Sequence, residues 1–429
     1  MPAARILVVG GSLGGLFAAN LLHRAGHDVR LLEKAGSSLD GRGAGIVTHR
    51  GLVTALHAAG ARVDESLGVP VQSRVALDRE GATVARIDYA QVLTSWSRLY
   101  ALLREPLPTE CYLAGHEVDG VKEQEQGVQV HCTNGSTLDA ELLIASDGIR
   151  STVRGTVAPP VQPEYAGYVA WRGVCDEAVL SARTRSTLFE HFGFGLPEGE
   201  QIIGYPVAGA HNATQLGQRR YNFVWYRPAG EPDTLQALLT DADGVHHPHG
   251  IAPNQVSWRE VARMREAARR LLAPQWAEVI EKTAQPFLQP IFDLMSERLA
   301  FGRVALMGDA AFVARPHVGM GVTKAGDDAL ALAGAISQHG ATPAALQSYE
   351  SERLAPGRAV VERARSLGAY LQAHARQARA RQAQAREGTA ESGPTPQRDT
   401  LGVLNETAID LADPALNASS RRTPSLQET

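Results

Sequence analysis

The sequence predicts an α/β protein: a Rossmann-like domain, a second domain with a mostly antiparallel β-sheet, and a long C-terminal helix. Three observations predict it. A strand, glycine turn, helix and second strand open the chain over residues 5–33. Residues 166–226 alternate apolar and polar, as half-buried antiparallel strands do. Residues 345–386 are dominated by Ala, Arg and Gln, which favour helix.

Residues 5–9 (Arg-Ile-Leu-Val-Val) read as a short buried strand, broken by Gly10-Gly11-Ser12-Leu13-Gly14-Gly15. Leu16 to Ala25 follow with helical spacing, Leu16, Ala19, Leu22 and Ala25 facing inward, until Gly26 stops the helix. Val29 to Glu33 is a second strand, so the first strand belongs at the centre of a parallel sheet. Val75–Asp78 and Thr83–Asp88 alternate around a Glu-Gly turn as a hairpin, and Leu99 to Leu103 is helical. Val118 to Ile144 reads as three strands with turns at 125–127 and Asn134-Gly135. Tyr168–Val174, Gln201–Val207 and Tyr221–Tyr226 form the antiparallel sheet, and Trp258 to Thr283 is helical. Val304 to Met307 is a strand opening another glycine-rich loop, before a helix from about Lys324 to Gln338. Beyond Gly388 the chain is rich in Ser, Thr, Pro and Gln and has no aromatic residue, so 388–429 is expected to be disordered and without catalytic role.

Composition narrows the function classes. The 429 residues suit two to three domains, and 44% apolar content supplies a sizeable core. Acids outnumber Lys and Arg by 46 to 42, which argues against a nucleic-acid partner. No apolar run reaches the roughly 18 residues of a membrane span. Cys111, Cys132 and Cys175 form neither a disulfide framework nor a zinc pattern, so a reducing cytoplasm and no metal are expected. Glycine is in excess: 42 residues, near one in ten against a usual share of about 7%.

The glycines cluster. The first cluster, at 10–15, joins a strand to a helix N-terminus, where backbone N–H groups and the dipole favour a pyrophosphate. Glu33 ends the next strand, where a carboxylate can accept ribose hydroxyls; Ser12 stands where this motif has its middle glycine. Further clusters are Gly41-Arg42-Gly43-Ala44-Gly45-Ile46, then Ser146-Asp147-Gly148 with Arg150 and Arg154 following. The last is Gly308-Asp309-Ala310-Ala311 with Arg315-Pro316-His317-Val318-Gly319-Met320-Gly321. Each alone could be a turn or a helix cap.

Taken in order, the clusters resemble the flavin-dependent aromatic hydroxylases, whose three fingerprints are an N-terminal glycine loop, an Asp-Gly motif and a Gly-Asp motif. The resemblance spans about residues 4–370. More narrowly, Tyr165–Val174, Ile203–Pro206, Asn222–Tyr226 and Arg315–His317 resemble a branch acting on hydroxylated pyridines. The resemblance implies FAD as cofactor, with Gly10, Ser12, Leu13 and Gly15 at its pyrophosphate and Glu33 and Lys34 at its adenosine ribose. It places Arg42 along the diphosphate or ribityl chain, and Gly45, Ile46 and Val47 at the isoalloxazine edge. Trp96 and Val118 join this set; Asp147 and Gly148 serve FAD and pyridine nucleotide, with Arg154 in support. Asp309 is assigned to a ribityl hydroxyl, and Pro316, Gly319, Gly321 and Val322 to the flavin N1/O2 side. The chain departs from many relatives at Trp96, Phe312 and Thr323. Only one dinucleotide fingerprint occurs, so NADH or NADPH is expected as a transient co-substrate.

The expected division is 1–70, 91–165 and 291–370 for FAD, 71–90 and 166–290 for the substrate, and 371–387 as the helix end. The expected reaction is hydroxylation of a small hydroxylated N-heteroaromatic ring with O2, in a monomer or a homodimer. In the sheet, Gln201, Ile203 and Tyr205 share one face, as do Asn222, Val224 and Tyr226. The resemblance to the related urate-type hydroxylases implies that these faces look at the flavin, which makes Gln201, Tyr205 and Asn222 candidate substrate contacts, and His317, beside the flavin loop, is the first candidate base, ahead of His49 and His211. Ordinary sheet packing is the competing reading of that face. Alternatives for the protein are a flavin-dependent reductase or dehydrogenase on the same scaffold, a hydroxylase of phenols or purines, or a non-catalytic nucleotide-binding protein.

Overall fold

The computed structural model describes residues 3–39, 45–230, 232–248, 250–387 and 399–410. Arg42 and its neighbours 41–44 lie outside the described residues.

The first strand, Arg5–Val9, lies at the interior of a six-stranded sheet. It pairs in parallel with Asp28–Glu33 on one side and Leu142–Ala145 on the other. Val304–Leu306 and Tyr112–Ala114 extend the sheet in parallel, and the two-residue strand Ala300–Phe301 adds an antiparallel edge. Parallel strands are covered on both faces, which is why they read as continuous apolar runs. Ile6, Leu7 and Val8 are completely buried, so truncating Leu7 to Ala would cost about 2–5 kcal/mol.

The covering helix runs Leu13–Arg24, three residues earlier than the Leu16 start expected from periodicity. Leu16, Ala19 and Leu22 face inward as expected, whereas Ala25 is exposed because the helix has already ended.

A nine-stranded, mostly antiparallel sheet forms the second layer. At its centre Glu164–Asp176 pairs with Arg220–Pro228, which pairs with Gln201–Val207. The hairpin Val69–Leu77 and Thr83–Ser95 joins through His191–Gly195 by a parallel pairing. One face of this sheet packs Trp171, Phe223 and Trp225 against Trp276 and the helices Trp258–Leu271 and Pro274–Lys282. The sequence suggested one helix there. Pro274 has no amide proton to donate and restricts the residue before it, so the helix ends at Leu271 and restarts.

Val118–Gln124, Gly127–Cys132 and Thr137–Ala140 form a separate three-stranded antiparallel sheet. Leu142–Ala145, expected to close that meander, belongs to the parallel sheet instead.

The helices Gly321–His339 and Pro343–Glu387 follow, the latter carrying Pro356 inside. The expectation of disorder from residue 388 fails at one place: Thr400–Glu406 is a helix capped by Asp399, with Val403 and Leu404 buried. Composition could not show it, because an apolar tertiary partner orders this short segment rather than helix propensity. Residues 388–398 and 411–429 lie outside the described residues. No helix among the described residues is long and apolar enough to cross a membrane.

Candidate active site

The site begins where Arg5–Val9 runs into Gly10. Gly10 has φ +104°, and a Cβ there would lie 2.3 Å from the Ser146 carbonyl oxygen. A Cβ at Gly15 would lie 1.9 Å from the Gly10 carbonyl oxygen, so helix and strand approach as closely as they do only because this position is glycine. The helix N-terminus at Ser12 carries no side-chain cap, which leaves its first N–H groups free to meet an anion. Glu33 is buried; its Oε2 accepts the Gly11 N–H and its Oε1 the Ala35 N–H, each at 2.8 Å. A carboxylate so held keeps lone pairs for ligand hydroxyls.

A cavity of about 280 Å³ opens at this turn. It gathers Gly10, Ser12, Glu33, Lys34, Trp96, Val118, Asp147 and Gly148 from five separate stretches of chain. Leu13 does not line it but is buried as the first helical residue, and Gly15 acts through packing. Trp96 stacks on Tyr100 with ring centroids 4.9 Å apart.

Asp147 Oδ2 accepts the Val153 N–H at 3.3 Å, while Oδ1 is buried without a partner among the described residues. Desolvation holds this carboxyl above the usual range. Arg154, expected to support nucleotide binding, donates instead to the carbonyls of Ile149, Ala310 and Val161. It thereby ties the Asp-Gly loop to the Gly-Asp loop.

Asp309 is solvent-accessible at the Gly-Asp turn, and desolvation by the surrounding protein holds its carboxyl above the usual range. Behind it, Lys324 donates to the Gly308 carbonyl at 2.8 Å, and Asp328 accepts the Gly308 N–H at 3.1 Å and Arg353 Nε at 2.8 Å. This buried triad was missed from sequence, though Lys324 and Asp328 stand at i, i+4 on the buried face of one helix.

Pro316–Val318 is a single tight turn, Gly319 is left-handed at φ +67°, and Gly321–His339 then starts without a side-chain cap. Backbone N–H groups at Gly321, Val322 and Thr323 are thus presented at a second helix N-terminus. Thr323 Oγ1 lies 3.0 Å from His49 Nδ1. Burial pushes the His49 imidazole down to about 4.

The third part is the sheet face. Register pairs Gln201 with Tyr226, Ile203 with Val224 and Tyr205 with Asn222, so all six lie on one buried face. The strand Gly45–Val47 runs past it: the Gly45 N–H donates to Asn222 Oδ1 at 3.2 Å, and Gly45 abuts the Tyr205 ring. Gly45 also pairs with Ser95, next to Trp96, which joins this face to the first cavity.

Four buried polar atoms on this face have no partner among the described residues: Gln201 Oε1 and Nε2, Asn222 Nδ2 and Tyr226 OH. Burial pushes the Tyr205 hydroxyl to about 12 and Tyr226 higher still, so both are neutral hydrogen-bonding groups at pH 7. His317 is buried, with Nε2 2.9 Å from Tyr168 OH and its ring 4.2 Å from that of Tyr226. Tyr168 was not singled out from sequence; its place on the strand beside that of Tyr226 shows only in the register. His211 is exposed in the turn that connects the strands Gln201–Val207 and Arg220–Pro228, off the buried face.

A family model described as FAD binding domain-like matches residues 165–293. The 2,6-dihydroxypyridine 3-monooxygenase of Paenarthrobacter nicotinovorans is 32% identical over 369 residues, covering 86% of this chain and 91% of that protein. The chain belongs to the FAD-dependent aromatic hydroxylases. A second hydroxylase, the 3-amino-4-hydroxybenzoate 2-monooxygenase of Streptomyces cremeus, is 30% identical over 85% of this chain and 86% of its own length. The crystal structure of 2,6-dihydroxypyridine-3-hydroxylase from Arthrobacter nicotinovorans superposes with a TM-score of 0.81 at 31% identity, covering 86% and 93% of the two chains. The protein is accordingly an FAD-dependent aromatic monooxygenase. The residues present fit such a hydroxylase's FAD: the uncapped helix N-terminus at Ser12 and the orphaned Asp147 oxygen border one cavity, and a Cβ on Gly308, next to Asp309, would lie 3.4 Å from Ser146 of the same lining.

Proposed function

We propose that this hydroxylase acts on a small, hydroxylated N-heteroaromatic ring of the 2,6-dihydroxypyridine kind, with NAD(P)H and O2. One observation carries the reading: Gln201, Asn222 and Tyr226 leave four buried polar atoms unpaired on a single face. Such atoms each cost about 1–3 kcal/mol unless a ligand satisfies them. Two side-chain amides offer both donors and an acceptor, which complements a ring bearing N–H and C=O groups better than a plain phenol.

FAD, reduced by NAD(P)H, supplies the activated oxygen when bound. The protein's own residues do the rest. Ser12, Glu33, Lys34 and Asp147 hold the nucleotide end, with Gly10 and Gly15 shaping the turn. Asp309 and the Pro316–Gly321 loop hold the other end through a carboxylate and backbone N–H groups, and Gly45, Ile46 and Val47 border it. Gln201, Asn222 and the Tyr205 and Tyr226 hydroxyls orient the ring. His317, held by Tyr168, accepts the proton of the ring hydroxyl, which favours the electron-rich anion. The apolar walls Ile203 and Val224 keep water out.

The test is a panel of hydroxypyridines, hydroxynicotinates, phenols and purines, followed by NAD(P)H oxidation, oxygen uptake and product mass. Hydroxypyridines should stimulate most and gain one oxygen atom. Stimulation by purines or phenols alone would overturn the substrate class.

A further inference from the structure

We propose that residues 399–410 form a wall of the substrate side of the site, with Arg74 as the positioning residue that latches it. The inference rests on the hydroxylase reading above for what the wall encloses, and on geometry alone for the wall itself.

The segment touches three parts of the site. Val403, Leu404 and Ala408 are buried in the same apolar cluster as Ile203, Tyr205, Val224 and Tyr226. The Ala408 N–H donates to the His317 carbonyl at 2.9 Å, and a Cβ on Gly319 would come within 2.6 Å of the Ala408 side chain. Asp410 Oδ2 accepts the Arg50 N–H at 2.8 Å, at the start of the helix that follows His49.

Arg74 explains how the segment is held. It sits in the strand Val69–Leu77, wholly buried, and no carboxylate among the described residues pairs with it. Its Nη1 donates to the Leu404 and Thr407 carbonyls at 2.7 and 2.6 Å, and its Nη2 to the Ala408 carbonyl at 2.9 Å and Gln91 Oε1 at 2.6 Å. A buried guanidinium is costly unless its donors are satisfied, and three of these four acceptors belong to the segment. Ala408 also holds φ +50°, a left-handed conformation that an Ala adopts only under external constraint. The charge and the strained backbone make sense together, as the two halves of one latch. Arg74 pairs in register with Phe192, whose ring lies 5.0 Å from Tyr205, so the latch sits directly beside the substrate face.

A wall here has a chemical purpose. When water reaches the activated oxygen, NAD(P)H, a proton from solvent and O2 yield NAD(P)+ and hydrogen peroxide, and the ring is released unchanged.

The experiment compares the full chain, a chain ending at residue 398, and Arg74→Met, each loaded with FAD. Iodide quenching of flavin fluorescence needs no aromatic ring and reports the wall directly. Both variants should keep their FAD, and the quenching constant should rise by about threefold or more as the site opens. Product formed per NAD(P)H should fall by about tenfold, with peroxide making up the difference, as positioning and water exclusion are lost together. Arg74→Met should add nothing in the shortened chain, because its effect runs through the missing segment. Unchanged quenching and unchanged product yield in the shortened chain would overturn the proposal. Should that chain not fold, Arg74→Met carries the same two readouts in the full-length protein. If no ring stimulates the full chain, the substrate reading fails, while iodide quenching still decides on the wall.

Discussion

The nucleotide end of the site and its substrate face are made of different materials. At the proposed nucleotide end the turn is shaped by Gly10 and Gly15, and the polar side chains there are mostly held: Glu33 by two N–H groups, Arg154 by three carbonyls. On the proposed substrate face the lining groups are side chains, and four of their polar atoms lack partners among the described residues. The difference teaches where stability and function coincide. A backbone turn that holds a cofactor is also part of the fold, whereas an orphaned amide serves a ligand at the expense of the empty protein.

The sharpest way to break that contrast is Gly15→Val. Side-chain atoms would collide with the Gly10 carbonyl, so the purified variant should be colourless and melt well below the wild type, with a loss of about 3 kcal/mol or more. A yellow, stable variant would mean that the turn is looser than its geometry. Next is His317→Gln, which should keep FAD yet lower kcat by about 10²–10⁴. Steady-state kinetics of yellow, folded protein would show it; an unchanged kcat removes His317 as the base. Gln201→Leu should separate the two properties most clearly. With ring substrate, kcat/KM should fall by about 10- to 100-fold, while thermal stability without substrate holds or rises, because an unpaired amide is removed from the interior. A parallel loss of both would show that Gln201 is structural.

The smallest effect is expected at His49, where the two regions meet. Its folded-state pKa of about 4 lies below the ordinary value of 6.5, so unfolding takes up a proton between those limits. Its stabilising contribution is therefore whole above that window and is lost as pH falls through it. Denaturation of the wild type at pH 7 and pH 5 should differ by on the order of 2 kcal/mol from this group, and His49→Gln should lose that share.

Much of the nucleotide end was legible in the residue order. A strand, a glycine turn, a helix and a terminal Glu are local features, and Ser12, Glu33, Trp96, Val118 and Asp147 all meet at one cavity. The substrate face was half legible: alternation put Gln201 and Tyr205 on one side of a strand, but the partner of His317, Tyr168, depends on a pairing between distant strands. Lys324, Asp328 and Arg353 were passed over because a buried ion cluster looks, in sequence, like a solvated helix face.

The glycine excess, the βαβ opening and the antiparallel alternation follow from residue order alone, since turn chemistry and side-chain period act over a few neighbouring residues. Other features exist only once the chain is folded. Which amides end buried without a partner, which carbonyls satisfy Arg74, and whether 399–410 is tail or wall are set by contacts between distant parts of the chain, those of Arg74 spanning more than three hundred residues. Composition labels that segment solvated; burial of Val403 and Leu404 against the sheet makes it part of the core.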